Sequence, residues 1–298
     1  MVAPLKAMRH HFTIDVEEYF QVAAFEPYVA RTDWPRMESR VARQMEQLLA
    51  LLSRHQARAT CFVLGWLADR QRELIRTIAD AGHEIASHGW EHAKVTTLSP
   101  AQFRESVRRS KHVLEEIVTT PVVGYRAPNF SIVRGREWAL DILLEEGYRY
   151  DSSLFPIRRP GYGYPAGRPD PHWIERAAGH IAEIPPATLQ CAGVRLPAAG
   201  GAYFRLFPYG VIRAALRQCE RRGAPGTFYI HPWEIDPDQP RVAVSPLTSA
   251  RHYGGLHRTL PRLERLFTEF RFRPVAETVA ALTRARGSEQ AVLEEWPA

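Results

Sequence analysis

Apolar positions along the chain fall into short continuous runs that alternate with stretches of helical periodicity. The run Phe12 to Val16 reads as a buried first strand, and it ends in carboxylates, Asp15-Val16-Glu17-Glu18. Charge at the mouth of a buried strand is costly unless it has a use. Val41, Met45, Leu48, Leu49 and Leu52 then recur at the spacing of an amphipathic helix, and Ala59 to Leu64 reads as a second strand. A helix through Leu74, Ile75 and Ile78 stops at Gly82, and Glu84 to Ser87 forms a third strand. Ser99-Pro100 opens a long helix through Phe103, Val107 and Leu114, by a capping hydroxyl followed by a proline that needs no N–H partner.

The alternation continues. Pro121 to Tyr125 is strand-like and delivers Arg126-Ala127-Pro128-Asn129-Phe130; a helix through Trp138, Leu140, Leu143 and Leu144 ends at Gly147, and Tyr148 to Tyr150 leads into Asp151-Ser152-Ser153. Helix, glycine stop and short strand in repetition indicate parallel βα units. Phe155 to His180, rich in Pro, Gly and aromatics, reads as a long loop of the kind that forms lids or rims. Ile181 to Ile184 is a further strand. A helix through Val211, Ile212, Leu216 and Cys219 follows and stops at Gly223, and the strand Gly226 to Ile230 ends in His231-Pro232-Trp233-Glu234. A helix around Leu260, Leu263 and Leu266, a strand near Phe272 and a helix from Val275 to Leu282 complete the pattern. We expect one α/β domain over residues 1–285 and a frayed tail over 286–298.

Composition narrows the function classes. At 298 residues, 45% hydrophobic and 24% charged, with no apolar run long enough to span a bilayer, the chain is that of an ordinary globular protein. The net charge of +6 raises nucleic acid as a partner, but Lys occurs only at 6, 94 and 111, and the Arg residues are scattered among acids along the helices. No basic cluster with interleaved aromatics reads as a nucleic-acid platform. Cys61, Cys191 and Cys219 are too few and too far apart for a disulfide framework or a thiolate cluster. With no signal-peptide core in Met1 to His11, a cytoplasmic location is the expectation.

The polar residues that do not suit a core fall at one place in each unit: Asp15 and Glu17 after the first strand, His88 and His92 after the third, Arg126 after the fourth, Asp151 after the fifth, and His231 near the last. In a βα barrel all these ends open on one face. Two imidazoles at the spacing His88-Gly89-Trp90-Glu91-His92 reach one metal ion if they share a helical turn, although such pairs also occur on solvated faces. Gathered by the topology, the set makes a metal-centred hydrolytic site.

Thr13-Ile14-Asp15-Val16-Glu17, Ser87-His88-Gly89-Trp90-Glu91-His92, Arg126-Ala127-Pro128, Asp151-Ser152-Ser153 and Ile230-His231-Pro232 resemble, in order, the motifs of polysaccharide deacetylases with NodB homology. Asp15 to Phe20 and His231 to Glu234 resemble the branch found in bacterial exopolysaccharide loci. The resemblance implies a distorted (β/α)7 barrel, a divalent metal with zinc the expected ion, a carbohydrate polymer or oligosaccharide as partner, and removal of N-acetyl groups from N-acetylhexosamine units. Carried over by position, His88 and His92 are metal ligands and Glu17 is the carboxylate ligand. Strand alternation puts Asp15 and Glu17 on one side, which favours this assignment, with Glu18 as the alternative. Asp15 is the implied base and His231 the implied acid, with Arg126 pairing Asp15 and Asp151 supporting His231. The N–H after Pro128 is the implied oxyanion donor, and Pro128, Asn129, Phe130 and Trp233 are the implied substrate contacts. Three other readings compete. His88 to His92 also fits the H-x-x-E-H pattern of inverzincin peptidases, which needs a regular helix that Gly89 and Pro100 leave little room for. An allantoinase-type amidohydrolase resembles the same barrel, and a non-catalytic carbohydrate-binding protein would not need competent residues at every position.

Overall fold

The computed structural model describes residues 8–159 and 161–294. Seven parallel strands build a barrel in the order β10-β1-β2-β3-β4-β5-β7: β1 (Arg9–Val16), β2 (Thr60–Val63), β3 (Glu84–Ser87), β4 (Gly124–Tyr125), β5 (Tyr150–Asp151), β7 (Gly179–Glu183) and β10 (Thr227–Ile230). The ring closes where Pro186, just past β7, bridges Thr227, and the Ala187 N–H donates to the Thr227 carbonyl at 2.9 Å. Higher on β10, Gly200 bridges Tyr229. A Cβ on Gly200 would lie 1.8 Å from the Tyr229 carbonyl oxygen, and its φ of +140° is one that only glycine adopts without strain.

The helices between strands surround this barrel: α1 (Val41–Arg54), α2 (Gly65–Arg70), α3 (Arg72–Asp80), α4 (Pro100–Val118), α5 (Trp138–Glu145), α6 (Gly201–Leu206), α7 (Tyr209–Arg221), α8 (Pro246–Tyr253) and α9 (Thr259–Glu269), and α10 (Val275–Glu294) follows the last strand. Phe12, Ile14 and Val16 of β1 join Met45, Leu48 and Leu52 of α1 in the main outer core. Each such fully buried side chain contributes about 1.5–3 kcal/mol of hydrophobic stabilisation. Ser99 caps α4 as expected, its Oγ accepting from the Gln102 N–H while Gln102 Oε1 accepts from the Ser99 N–H. A second core fills the barrel itself, with Phe62, Ala86, Tyr150, Ala182 and Ile184 closed from below by Val275 and Val279 of α10.

Two expectations change, and one further hairpin appears. The stretch read as one loop, Phe155 to His180, contains β6 (His172–Arg176), which runs antiparallel beside β7 as a hairpin. The stretch before Phe207 contains a separate antiparallel hairpin, β8 (Thr188–Cys191) with β9 (Val194–Pro197). α10 runs on through Gly287 to Glu294, well into the expected frayed tail, because the Ala, Arg, Glu and Gln around that glycine are good helix formers. Residues 295–298 lie outside the described residues. Among the described residues no helix is long and apolar enough to cross a membrane. A short strand, β11 (Arg271–Arg273), adds to the lower end of β1.

Candidate active site

Glu17, His88 and His92 each offer a ligand atom, and these atoms lie within 4.8 Å of one another in a buried position. The histidines do not share a helical turn, as the spacing suggested. β3 ends at Ser87, and the chain bends through Gly89 at φ +77° and His92 at φ +57°. This bend is pinned from α2, whose Gly65 and Trp66 N–H groups donate to the Gly89 and Trp90 carbonyls at 2.8 Å each. With no helix there, the inverzincin pattern is not realised. His88 donates from Nδ1 to the Arg126 carbonyl at 2.7 Å, which fixes the tautomer and frees Nε2 for a cation.

The donors fit a divalent cation. Glu17 Oε2 and His92 Nε2 are 2.9 Å apart, yet Oε2 is buried without a hydrogen bond among the described residues. Two potential ligand atoms this close suit a shared third centre. Burial pushes the Glu17 carboxyl up, but His92 and His231 outweigh it and bring it to about 2, whereas burial lowers His88 to about 4. A carboxylate and a neutral imidazole are the forms that ligate. Glu18 is turned away: its carboxylate takes the Ser39 hydroxyl and the Arg40 N–H. Glu17 is therefore the carboxylate facing the two histidines.

Asp15 lies beside this set. The fully buried Arg126, carried past the end of β4, donates through Nη1 to Asp15 Oδ1 at 2.6 Å and to Thr13 Oγ1 at 2.7 Å, and through Nη2 to Ser152 Oγ at 2.9 Å. The guanidinium also lies over the Phe62 ring at 4.1 Å. The other carboxylate oxygen, Oδ2, stands 3.9 Å from His231 Nε2.

His231 is not supported by Asp151. Its Nδ1 lies 3.0 Å from Glu234 Oε2, and Glu234 is held in turn by Arg205 Nε at 2.6 Å, both nearly or fully buried. The proline at 232 starts a short 3₁₀ turn that brings Glu234 back onto the His231 N–H as well as its ring. Burial opposes the imidazolium, but Glu17, Glu234 and Asp15 raise His231 to about 9; burial likewise opposes the Glu234 carboxylate, but Arg205 and His231 bring it to about 2. Glu234 and Arg205 are the site residues the motifs did not single out. The His-Pro-Trp-Glu spacing carried a signal for Glu234, a capping pattern three residues past the imidazole; nothing in the sequence marked Arg205.

Asp151 sits deeper, where Oδ1 accepts the Ser153 hydroxyl at 2.6 Å and Oδ2 the Ser153 N–H at 3.1 Å. Glu183 of β7 is its partner in strand register. Trp233 does not present a face for a sugar. It is 5% exposed, its ring stacks on His231 and on His252 at 5.1 and 4.2 Å, and its Nε1 donates to Glu17 Oε1 at 3.2 Å. Pro128 and Phe130 are buried as well, Phe130 packing on Phe155 and Tyr229. Of the four residues expected to contact substrate, only Asn129 is exposed, on backbone held at positive φ through Asn129 and Phe130. Non-glycine residues in that region are strained and collect at functional sites.

Residues 37–149 match the polysaccharide deacetylase family, and residues 152–280 match a family described as a domain of unknown function, DUF3473. The first match contains His88, His92 and Arg126; the second contains His231, Glu234 and Arg205; Asp15 and Glu17 precede both. The chain is similar to a peptidoglycan deacetylase of Helicobacter pylori, 29% identical over 110 residues, which is 36% of this chain and 36% of that protein. It thus aligns with about a third of that relative's length. In fold it is similar to a Mycobacterium smegmatis protein described as a candidate polysaccharide deacetylase, with 19% identity, a TM-score of 0.65, and coverage of 95% of this chain and 94% of that one. It is also similar to the PuuE allantoinase, with 17% identity, a TM-score of 0.61, and coverage of 93% and 91%. The fold class is that of these proteins, a (β/α)7 barrel of the NodB type in a single domain, and the polysaccharide deacetylase relation holds for the segment that carries the histidine pair.

Proposed function

We propose that this protein is a metal-dependent N-deacetylase acting on N-acetylhexosamine units of a bacterial polysaccharide or its precursor, an exopolysaccharide being the class that Asp15 to Phe20 and His231 to Glu234 resemble. The observation that supports this reading best is the opposition of Asp15 and His231 beside the Glu17, His88, His92 cluster, each held from behind by a buried partner of opposite charge.

In this reading Glu17, His88 and His92 hold the cation, and one carboxylate with two imidazoles suits zinc with positions left open. When bound, the cation polarises the amide carbonyl and acidifies a water. Asp15, fixed by Arg126, takes the proton of the attacking water through Oδ2. Protonated His231, oriented by Glu234, gives a proton to the departing nitrogen, so that amide and water become acetate and free amine. The N–H of Asn129 donates to the developing oxyanion. Trp233 serves Glu17 and not the sugar, which leaves substrate contacts to the exposed rim around Asn129.

Acetate release from N-acetylglucosamine oligomers tests the reading. We expect release that needs added zinc after chelation and that falls by about 10²–10⁴-fold in Asp15→Asn, a loss typical of removing a general base. His88→Ala should lose both activity and metal, measured by elemental analysis. Hydrolysis of allantoin with no acetate release from sugars would favour the allantoinase-type alternative, and neither activity in the zinc-loaded protein would favour a non-catalytic one.

A further inference from the structure

At the end of the barrel opposite the histidines, a pocket of about 470 Å³ is lined by Arg9, Arg58, Arg271 and Arg273. Arg9 opens β1 and Asp15 lies near its other end, so six residues of strand put about 20 Å between the two sites. The floor is aromatic, formed by Phe267, Phe270 and Phe272, all buried.

The arginines are arranged at a cost. β1 and β11 pair in parallel with Arg9 opposite Arg271 and His11 opposite Arg273, and alternation turns Arg271 and Arg273 to the same side of β11. Like charges directly opposed across a strand pair destabilise it. Carboxylates relieve them only in part, Glu277 acting on Arg273. Glu277, the one acid lining the pocket, is taken by Arg58 at 2.7 Å, and among the described residues Arg9, Arg271 and Arg273 make no ion pair. Arg273 Nε is also buried without a hydrogen-bond partner among those residues. Arg9, Arg58 and Arg271 are exposed and hydrated, so their cost is mutual repulsion, whereas the buried, unsatisfied Arg273 Nε carries a desolvation cost that a ligand oxygen would relieve.

We infer that this pocket binds a phosphate-bearing ligand. Three guanidinium groups that form no ion pair among the described residues favour a ligand with more than one negative charge, and the planar fork of Arg matches phosphate oxygens in pairs. The volume exceeds what one phosphate fills. The same chemistry is carried by a soluble phosphate or pyrophosphate ester and by an anionic lipid headgroup.

Calorimetric titration of the full chain with inorganic pyrophosphate, and sedimentation with vesicles of phosphatidylglycerol in phosphatidylcholine, test the assignment. Pyrophosphate should bind, and Arg271→Ala and Arg273→Ala should each weaken it by about tenfold or more, the loss expected for a charge-assisted contact. Vesicle binding that pyrophosphate competes away identifies a lipid-borne phosphate; pyrophosphate binding without vesicle binding identifies a soluble one. In phosphate-free buffer the melting temperature of Arg271→Ala should equal or exceed that of the parent, since a like-charge pair is relieved. No binding of either probe, binding untouched by both substitutions, or a lowered melting temperature in Arg271→Ala without loss of binding overturns the assignment.

Discussion

The single contact that most shapes the proposed chemistry is Glu234 on His231. An imidazole poised between Asp15 and Glu17 and backed by a third carboxylate is raised to about 9, and Glu234 is the carboxylate bonded to its far nitrogen. Removing that charge lowers the pKa of the imidazolium, so the acid form is lost at lower pH. Glu234→Gln should therefore move the alkaline limb of the acetate-release profile to lower pH and cut turnover by about 10- to 100-fold, as loss of a supporting partner commonly does. Glu234→Ala should also cost stability, by about 3–5 kcal/mol, because it strands the buried Arg205. At this scale the sequence disclosed the ionisable residues that cluster but not all the groups that hold them. Asp15, Glu17, His88, His92, Arg126 and His231 stand at strand ends where apolar runs stop, and the structure brings all six together. The assignment of Asp151 to His231 failed because spacing along the chain says nothing of depth: Asp151 is still inside β5, whereas Glu234 lies past the mouth of β10 on a turn that folds back.

Between elements, the pairing of β5 with β7 sets Asp151 directly against Glu183 inside the barrel. Burial raises Asp151 to about 6, and burial together with Asp151 raises Glu183 well above the ordinary carboxyl range. Folded-state values above the unfolded ones mean that the native state holds protons the unfolded chain releases. The associated stability is present below the unfolded carboxyl range near pH 4 and is lost as pH rises through about 6 and beyond. Glu183→Gln, which removes one of the two charges, should flatten this decline, so that its melting temperature exceeds the parent's at pH 8 by more than it does at pH 5. The contact between α2 and the histidine bend gives a second test. A Cβ on Gly65 would lie 2.5 Å from Trp90 Cε3 and 3.0 Å from the Ser110 backbone, and Trp90 is itself covered by Arg109 at 3.5 Å. With the Ser110 backbone fixed on the other side, Gly65→Ala should cost about 1–3 kcal/mol by overpacking and, at the proposed metal site, weaken zinc binding by displacing His92, measured by denaturant melts and a zinc competition titration. The elements themselves were legible where burial is two-sided, as in the continuous apolar runs of β1, β2 and β10. They were not legible at the barrel's edge. β6 has half-exposed residues of mixed polarity, His172-Trp173-Ile174-Glu175-Arg176, and the histidine bend draws its shape from α2 contacts and two left-handed residues that no periodicity announces.

For the molecule as a whole, the closed barrel is what converts scattered motifs into one site, and it also fixes what metal removal should do. Recurring helix, glycine stop and strand foretold parallel βα units, whereas closure depends on Pro186 and Gly200 meeting β10, contacts far apart in sequence that only the folded chain reveals. Glu17 comes from one side of the ring and His88 and His92 from another, so a cation bound among them ties β1 to the loop after β3 in the native state alone. Binding that is confined to the native state stabilises it by mass action, by about 4 kcal/mol when free zinc is a thousandfold above its dissociation constant. For a domain of this size a gain of that order raises the melting temperature by roughly 5–8 °C. We expect chelator-treated protein to melt lower than zinc-loaded protein by about that margin, measured by scanning calorimetry in matched buffers. His92→Ala should abolish the difference because it removes a ligand, while Asp15→Asn should retain most of it because Asp15 is bonded to Arg126 and not counted among the three donors. An equal loss in both variants would assign the cation to Asp15 as well and require a different base.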